Sequence, residues 1–396
     1  MVEYVGPAAR TRRRSVDLGG VGSLLRRLDW VMLLAVGSLV AYGLWVISGV
    51  TRFDVPGEPD YYVWRQAIAA GLGVVALVIA VAVPPTLLSR GWRVLYGGTV
   101  GLMVLVFALG EVVRGSKRWI DVGPFQFQPS EFGKVLFVLA LAGFLAERAR
   151  RIGSWSTVGG ALGLALVPML LVFLQPDLGT AMVYGAALAA VLFVAGTRWR
   201  VLALLACGAL FLLLAVLWLL PSAGVDVLKP YQRERVIGFA NPDTDPSGLT
   251  YNVRQSITAV GAGGLEGRGV IEASQTRLDY LPEHATDFVF ASVAEQRGFF
   301  GAAILLLLYQ LVVWRGLRVV TIAGDLDSAI VAGGIVFALL FQVFVNIGMT
   351  MGMAPVTGIP LPFLTVGGSS MVANLLAVGV LQSIHVRGSL GAVQRR

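Results

Sequence analysis

Residues 30–50 read WVMLLAVGSLVAYGLWVISGV, a run without a single charged side chain. At a helical rise of 1.5 Å per residue, it is long enough to cross a hydrocarbon layer about 30 Å thick. A polar, basic stretch precedes it and no small-residue cleavage site follows, so it reads as a retained first helix, not a removable signal. Similar runs recur over about 66–83, 94–111, 130–147, 157–174, 180–196, 201–220, 288–314, 328–349 and 369–386. The sequence therefore predicts an all-α polytopic membrane protein of about ten spans.

Composition points the same way. Of 396 residues, 56% are apolar and only 14% charged, against about 25% charged in soluble domains. The mean hydropathy is +0.77. A net charge of +8 would suit nucleic acid, but its distribution argues for a membrane instead. Arg10, Arg12, Arg13, Arg14, Arg26 and Arg27 precede the first span. Arg90 and Arg93, then Arg148, Arg150 and Arg151, then Arg198 and Arg200, then Arg315 and Arg318 fall between later spans. Arg387, Arg395 and Arg396 follow the last. Placing these segments in the cytoplasm satisfies the positive-inside bias throughout and puts both termini there. The expected organisation is a basic tail over 1–27, a ten-helix membrane domain over 28–388 and a short tail over 389–396. The one cysteine, Cys207, allows no internal disulfide and no cysteine metal site, and His284 and His385 are the only histidines.

Two outer segments depart from the pattern. Residues 112–129, VVRGSKRWIDVGPFQFQP, are basic, and residues 221–287 form the only long hydrophilic stretch. Loops of that length are usually functional or disordered; this one is expected to be partly helical and packed on the outer face. Lys117 and Arg118 in the first, and Arg233, Arg235 and Arg254 in the second, are basic groups on the side where they are unusual. Either they bind an anionic substrate, as arginine binds phosphate, or they pair with acids such as Glu234, Asp243, Asp245 and Glu266.

The candidate chemistry lies close to these segments. LPEHATDF at 281–288 places Glu283 and Asp287 where the eighth span enters the membrane. Asp287 reads either as a helix cap or as a general base whose basicity rises with desolvation. In SEFGK at 130–134, Glu131 and Lys134 share a helical face. They form either a structural ion pair or a support for catalysis. GAGGLEGRG at 261–269 lacks the Walker pattern and reads as turns or close backbone approach. TGIPLPFLTVGGSSM at 357–371 implies non-helical backbone at membrane depth, which survives only when buried or lining a cavity.

Taken together, GSKRWIDVGPFQFQPSEFGK, QPDLGTAM, YQRERVIGFANPDTDPSGLTYNVRQS, GAGGLEGRG, LPEHATDFVFASVAEQRGFFG and MTMGMAPVTGIPLPFLTVGGSSM, in this order over residues 25–388, resemble the SEDS family (shape, elongation, division and sporulation proteins), in particular its RodA branch and less its FtsW branch. The resemblance implies a ten-helix peptidoglycan glycosyltransferase of the bacterial cytoplasmic membrane that polymerises lipid II and works with a class B penicillin-binding protein in the elongation machinery. It implies Asp287 as the essential aspartate and Glu131–Lys134 as an important ion pair. Glu283 and Thr286 would be supporting groups, and Gln255 of YNVRQS would join Lys117, Arg118, Arg233, Arg235 and Arg254 on the substrate. The chain departs from the family pattern at His284, displaced by one residue, at Glu295-Gln296-Arg297-Gly298 and at Thr365-Val366-Gly367-Gly368. No metal ligands are assigned. A divalent cation, Mg or Mn, is an alternative to arginine for neutralising a leaving pyrophosphate. Two other classes remain open: a lipid II flippase and a non-catalytic scaffold for a penicillin-binding protein.

Overall fold

The computed structural model describes residues 25–113, 116–121, 123, 126–222, 224 and 249–393. The spans predicted from hydropathy appear as ten apolar helices among these residues, nine of at least 18 residues and one of 17. They are α1 (Trp30–Val50), α2 (Tyr61–Ala82), α4 (Trp92–Leu109), α5 (Pro129–Glu147), α6 (Trp155–Leu174) and α7 (Leu178–Val194). After them come α8 (Trp199–Leu214), α12 (Val289–Ile322), α13 (Leu326–Thr350) and α14 (Gly368–Val393). The chain is a multi-pass membrane protein. Shorter helices fill the connections: α3 (Pro85–Arg90), and α9 (Leu249–Gly263), α10 (Gly269–Glu272) and α11 (Ser274–Arg277) in the long loop. Helix α8 continues through a π turn at Ala215–Leu219 to Ser222. Most of the basic stretch 1–27, the loop up to residue 248 and the last three residues of the tail lie outside the described residues. The last helix itself runs past 388 to Val393.

Helices α5, α13 and α14 bury most of their surface and form the centre, whereas α8 is almost wholly exposed on the rim. Its Leu204, Leu210, Phe211, Leu212 and Leu213 face outward, as a lipid-facing span requires. With no hydrophobic drive between helices in lipid, close packing of small residues holds the centre together. A side chain at Gly379 of α14 would collide with backbone of α2, and one at Gly73 of α2 with Leu375 of α14.

Three features were not predicted. The basic segment 112–129 is not a bare loop. It carries a small antiparallel sheet, β1 (Glu111–Val113), β2 (Ser116–Asp121) and β3 (Gln126–Phe127), with Val112 opposite Lys117 and Ile120 opposite Phe127. The all-α expectation holds for the bundle and not for this cap. Second, α12 runs eight residues beyond the boundary expected at 314, so Arg315 is a buried helix residue and not a loop charge. Its Nη2 and Nε lie 2.7 and 2.8 Å from Oδ2 of Asp29. Asp29 caps α1 through Met32 N–H at 3.1 Å, and Gln382 of α14 exchanges two hydrogen bonds with its backbone at 2.9 and 3.1 Å. One residue, through its carboxylate and its backbone, thus ties three helices at the arginine-rich end.

Third, α12 breaks at Gly298, where φ is 64° and ψ −163°. The glycine-rich stretch after α9 fills the break: Phe299 N–H donates to Gly264 at 2.9 Å, Phe300 N–H to Leu265 at 3.2 Å, and Arg268 N–H to the Glu295 carbonyl at 2.8 Å. A side chain on Gly298 would sit 2.5 Å from the Leu265 carbonyl oxygen. The close backbone approach expected of GAGGLEGRG is what the fold uses.

Candidate active site

The N-termini of α5, α7, α12 and α14 and the C-terminus of α13 meet at the end of the bundle opposite the arginines. Helix α13 passes into residues 353–367 without helical structure. Val356, Thr357, Ile359, Leu361, Phe363, Leu364 and Thr365 in that stretch are buried, so irregular backbone lies inside protein, as predicted. Its polar groups are matched from several sides. Gln66 of α2 donates to the Thr365 carbonyl at 3.0 Å and accepts from Gly367 N–H at 3.1 Å. Tyr309 of α12 donates to the Pro362 carbonyl.

The turn 281–288 rests against this stretch. Glu283 adopts a left-handed φ of 57°, and its carbonyl accepts from Thr286 and Phe288 N–H, each at 3.1 Å. The Thr286 hydroxyl donates to the Glu283 carboxylate at 2.7 Å. Val366 N–H donates to Ala285 and the Thr365 hydroxyl to Thr286, both at 3.1 Å. Phe288, not Asp287, occupies the N-cap position of α12. A Cβ built on Gly358, itself at φ +72°, would lie 3.5 Å from Oδ2 of Asp287. The Asp287 carboxylate therefore faces the irregular stretch, between it and the turn.

The Glu131–Lys134 pair is buried in the first two turns of α5, with Nζ 2.8 Å from Oε2. Lys134 also donates to Oε1 of Gln342 on α13 at 2.8 Å. One turn further along α13, Asn346 donates to the carbonyl oxygens of Asp287 at 3.0 Å and Ile359 at 2.8 Å. A single helix face thus links the ion pair to the aspartate turn. Sequence reading passed over Gln342 and Asn346, although two amides four residues apart within an apolar span were a legible signal.

The predicted anion-binding groups do not all converge. Arg118 stacks on Trp119 at 4.5 Å and lies 3.3 Å from Oδ2 of Asp177, which is buried. That carboxylate is the cap of α7, which also holds Thr180 N–H at 3.0 Å and the Thr180 hydroxyl at 2.9 Å. Ser369 at the start of α14 bonds the backbone of Gln126 and Gln128, fixing the sheet over this corner. Lys117 donates to the Phe107 carbonyl at 2.7 Å. Arg254 is exposed on α9 and Gln255 half-buried beside it. Arg233, Arg235, Asp243 and Asp245 lie outside the described residues. Among the described residues no three His, Cys, Asp or Glu side chains group as metal ligands would.

His284 serves the scaffold. Its Nε2 lies 3.2 Å from Oδ1 of Asp54 and its Nδ1 3.2 Å from the Leu281 carbonyl. Burial pushes the imidazole pKa down, but the hydrogen bond and charge of Asp54, with Asp279 and the Leu281 carbonyl, outweigh it and raise it above the ordinary 6.5. Glu295, wholly buried, accepts from Gln275 N–H, Thr276 N–H and the Thr276 hydroxyl at 2.9, 2.9 and 2.7 Å, which docks α11 on α12.

Among the described residues, nine helices long and apolar enough to cross a membrane and a tenth shorter apolar one, with a buried ion pair joined through one helix to a carboxylate held against irregular backbone, define a multi-pass membrane protein with an enzyme-like polar site at one end of its bundle. The chain belongs to the FtsW/RodA/SpoVE family of cell cycle proteins, whose model matches residues 26–389. It is 37% identical over 359 residues to the peptidoglycan glycosyltransferase MrdB of Escherichia coli K12, covering 90% of this chain and 93% of that one. It also resembles a chain from a structure described as "Structural coordination of polymerization and crosslinking by a peptidoglycan synthase complex", with a TM-score of 0.77, 32% identity and coverage of 91% and 98%. The rod shape determining protein RodA of Thermus thermophilus is similar at a TM-score of 0.66 and 30% identity, with coverage of 90% and 96%.

Proposed function

We infer that this chain is a peptidoglycan glycosyltransferase of cell-shape synthesis that polymerises lipid II, with Asp287 as general base. The observation that carries the assignment of the base is the position of Asp287: its carboxylate lies between the turn 281–288 and the irregular stretch at Gly358, and its backbone is fixed by Asn346. The relatives' names support the reaction class.

In the proposed step the 4-hydroxyl of an N-acetylglucosamine attacks C1 of the donor N-acetylmuramic acid. The new C1–O bond forms as the bond from C1 to the pyrophosphate oxygen breaks, undecaprenyl pyrophosphate leaves, and direct displacement turns α into β. The hydroxyl proton passes to Asp287, because an alcohol far above pH 7 in pKa needs a base. Charge developing on the leaving group calls for a cation. Arg118 is one source, and a divalent ion is a second whose requirement chelation followed by Mg or Mn addition tests. Glu283 and Thr286 shape the turn, and Glu131–Lys134 supports it through α13.

The arginine-rich end is then cytoplasmic, both termini included, and the site faces outward across the bacterial cytoplasmic membrane. A class B penicillin-binding protein of the elongation machinery is the proposed partner, in keeping with a similar chain in a peptidoglycan synthase complex. The test supplies lipid II to the purified protein, alone and with that partner, and resolves glycan strands on a gel. Strands made by the native chain establish the polymerase. No strands from either preparation, together with lipid II movement across vesicles, would establish a flippase instead.

A further inference from the structure

Asn346 is wholly buried near the end of α13. Its side-chain nitrogen carries two hydrogens, and both leave its own helix. One goes to the carbonyl of Asp287 at 3.0 Å and the other to the carbonyl of Ile359 at 2.8 Å. These carbonyls belong to the two segments that flank the Asp287 carboxylate: the turn 281–288, and the irregular stretch whose Gly358 faces Oδ2. Two acceptors fix which way the amide is turned. Neither segment has a helical ladder at this point, so cross-chain donors set their relative position.

We propose that Asn346 is a positioning residue for the transfer reaction. With one rigid amide it sets the Asp287 main chain against the 357–361 backbone, and so sets where the carboxylate meets the acceptor hydroxyl. The proposal rests on Asp287 being the base. Asn346 is buried and does not touch substrate; it acts through Asp287. Its neighbour on the same helix face, Gln342, accepts from Lys134, so the element that carries Asn346 is itself held by the buried ion pair.

The test compares three variants in lipid II polymerisation by the full chain with its partner. Asn346→Leu keeps the approximate shape and removes both donors. Asn346→Ser retains one hydroxyl donor. Asp287→Ala is run in parallel. Misplacing a catalytic group by about 1 Å costs up to about 100-fold in rate. Asn346→Leu is therefore expected to lose between about 10-fold and 100-fold in kcat, with KM for lipid II changed by less than about threefold and partner capture intact. Asn346→Ser should fall between it and the native chain. Native kcat in Asn346→Leu, or in Asn346→Ser if the leucine variant does not fold, overturns the proposal. So does a rise in KM at unchanged kcat, which would make Asn346 part of a binding wall. If Asp287→Ala polymerises fully, the base assignment itself fails, and that result is distinguishable from failure at Asn346 alone.

Discussion

The ammonium of Lys134 lies 2.8 Å from the carboxylate of Glu131, and both side chains are buried. Removing one partner of a buried pair strands a charge and costs about 3–5 kcal/mol, whereas replacing both with apolar residues of similar size is often neutral. Lys134→Met alone should therefore lower the melting temperature in detergent, and Glu131→Leu with Lys134→Met should recover most of it. If the pair supports Asp287 through Gln342, the double variant stays poor in polymerisation despite its recovered stability. A double variant that regains both stability and native activity would reduce the pair to a structural tie.

The His284 imidazole gives a pH dependence with a definite sign. Its folded pKa is raised above 6.5, because Asp54, Asp279 and the Leu281 carbonyl together outweigh the downward effect of burial. The stabilisation it adds is fully present below about pH 6.5, the unfolded value. It is lost as pH rises through the higher folded value. Melting curves of the native chain and His284→Gln, recorded from acidic to alkaline pH, should differ most at the acid end and draw together as pH rises through the raised folded value. A difference that stays constant with pH, or widens towards alkaline pH, would contradict the assignment.

The break in α12 depends on Gly298. At φ 64°, with the Leu265 carbonyl oxygen 2.5 Å from where a Cβ would lie, even alanine is excluded on two counts. Gly298→Ala should cost at least the roughly 1–3 kcal/mol of a strained backbone position. It should also loosen the 263–268 loop from the helix, which limited proteolysis would detect as faster cleavage there. Unchanged cleavage and melting would show that the loop tolerates the added methyl group.

How far the sequence reached follows from what each signal measures. Hydropathy marks what must be apolar, and it located all ten helices to within a few residues at most ends. It misjudged α12, because Arg315 looks like a loop charge until Asp29, far away in the chain, neutralises it. The site divided the same way. Asp287, Glu131 and Lys134 stood out because charge at a membrane boundary is costly and therefore conspicuous. The neutral amides Gln66, Gln342 and Asn346 carry no charge, and the weaker signal of amides within apolar spans was passed over, although they hold the irregular backbone and the aspartate turn in place. For Arg118 the sequence left anion binding and ion pairing both open, because its neighbour Asp177 is distant in sequence. The sheet over 111–127 was invisible because its strands are too short to show alternation.

The central claim is that the Asp287 carboxylate takes the proton of the attacking hydroxyl. The most direct measurement is glycan-strand synthesis from lipid II by Asp287→Ala and Asp287→Asn, each purified with the penicillin-binding partner and shown by melting and co-purification to be folded and assembled. General-base catalysis contributes about 100-fold to 10,000-fold, so both variants should fall by at least that lower figure while assembly persists. Strand synthesis at the native rate by either folded, assembled variant would contradict the account.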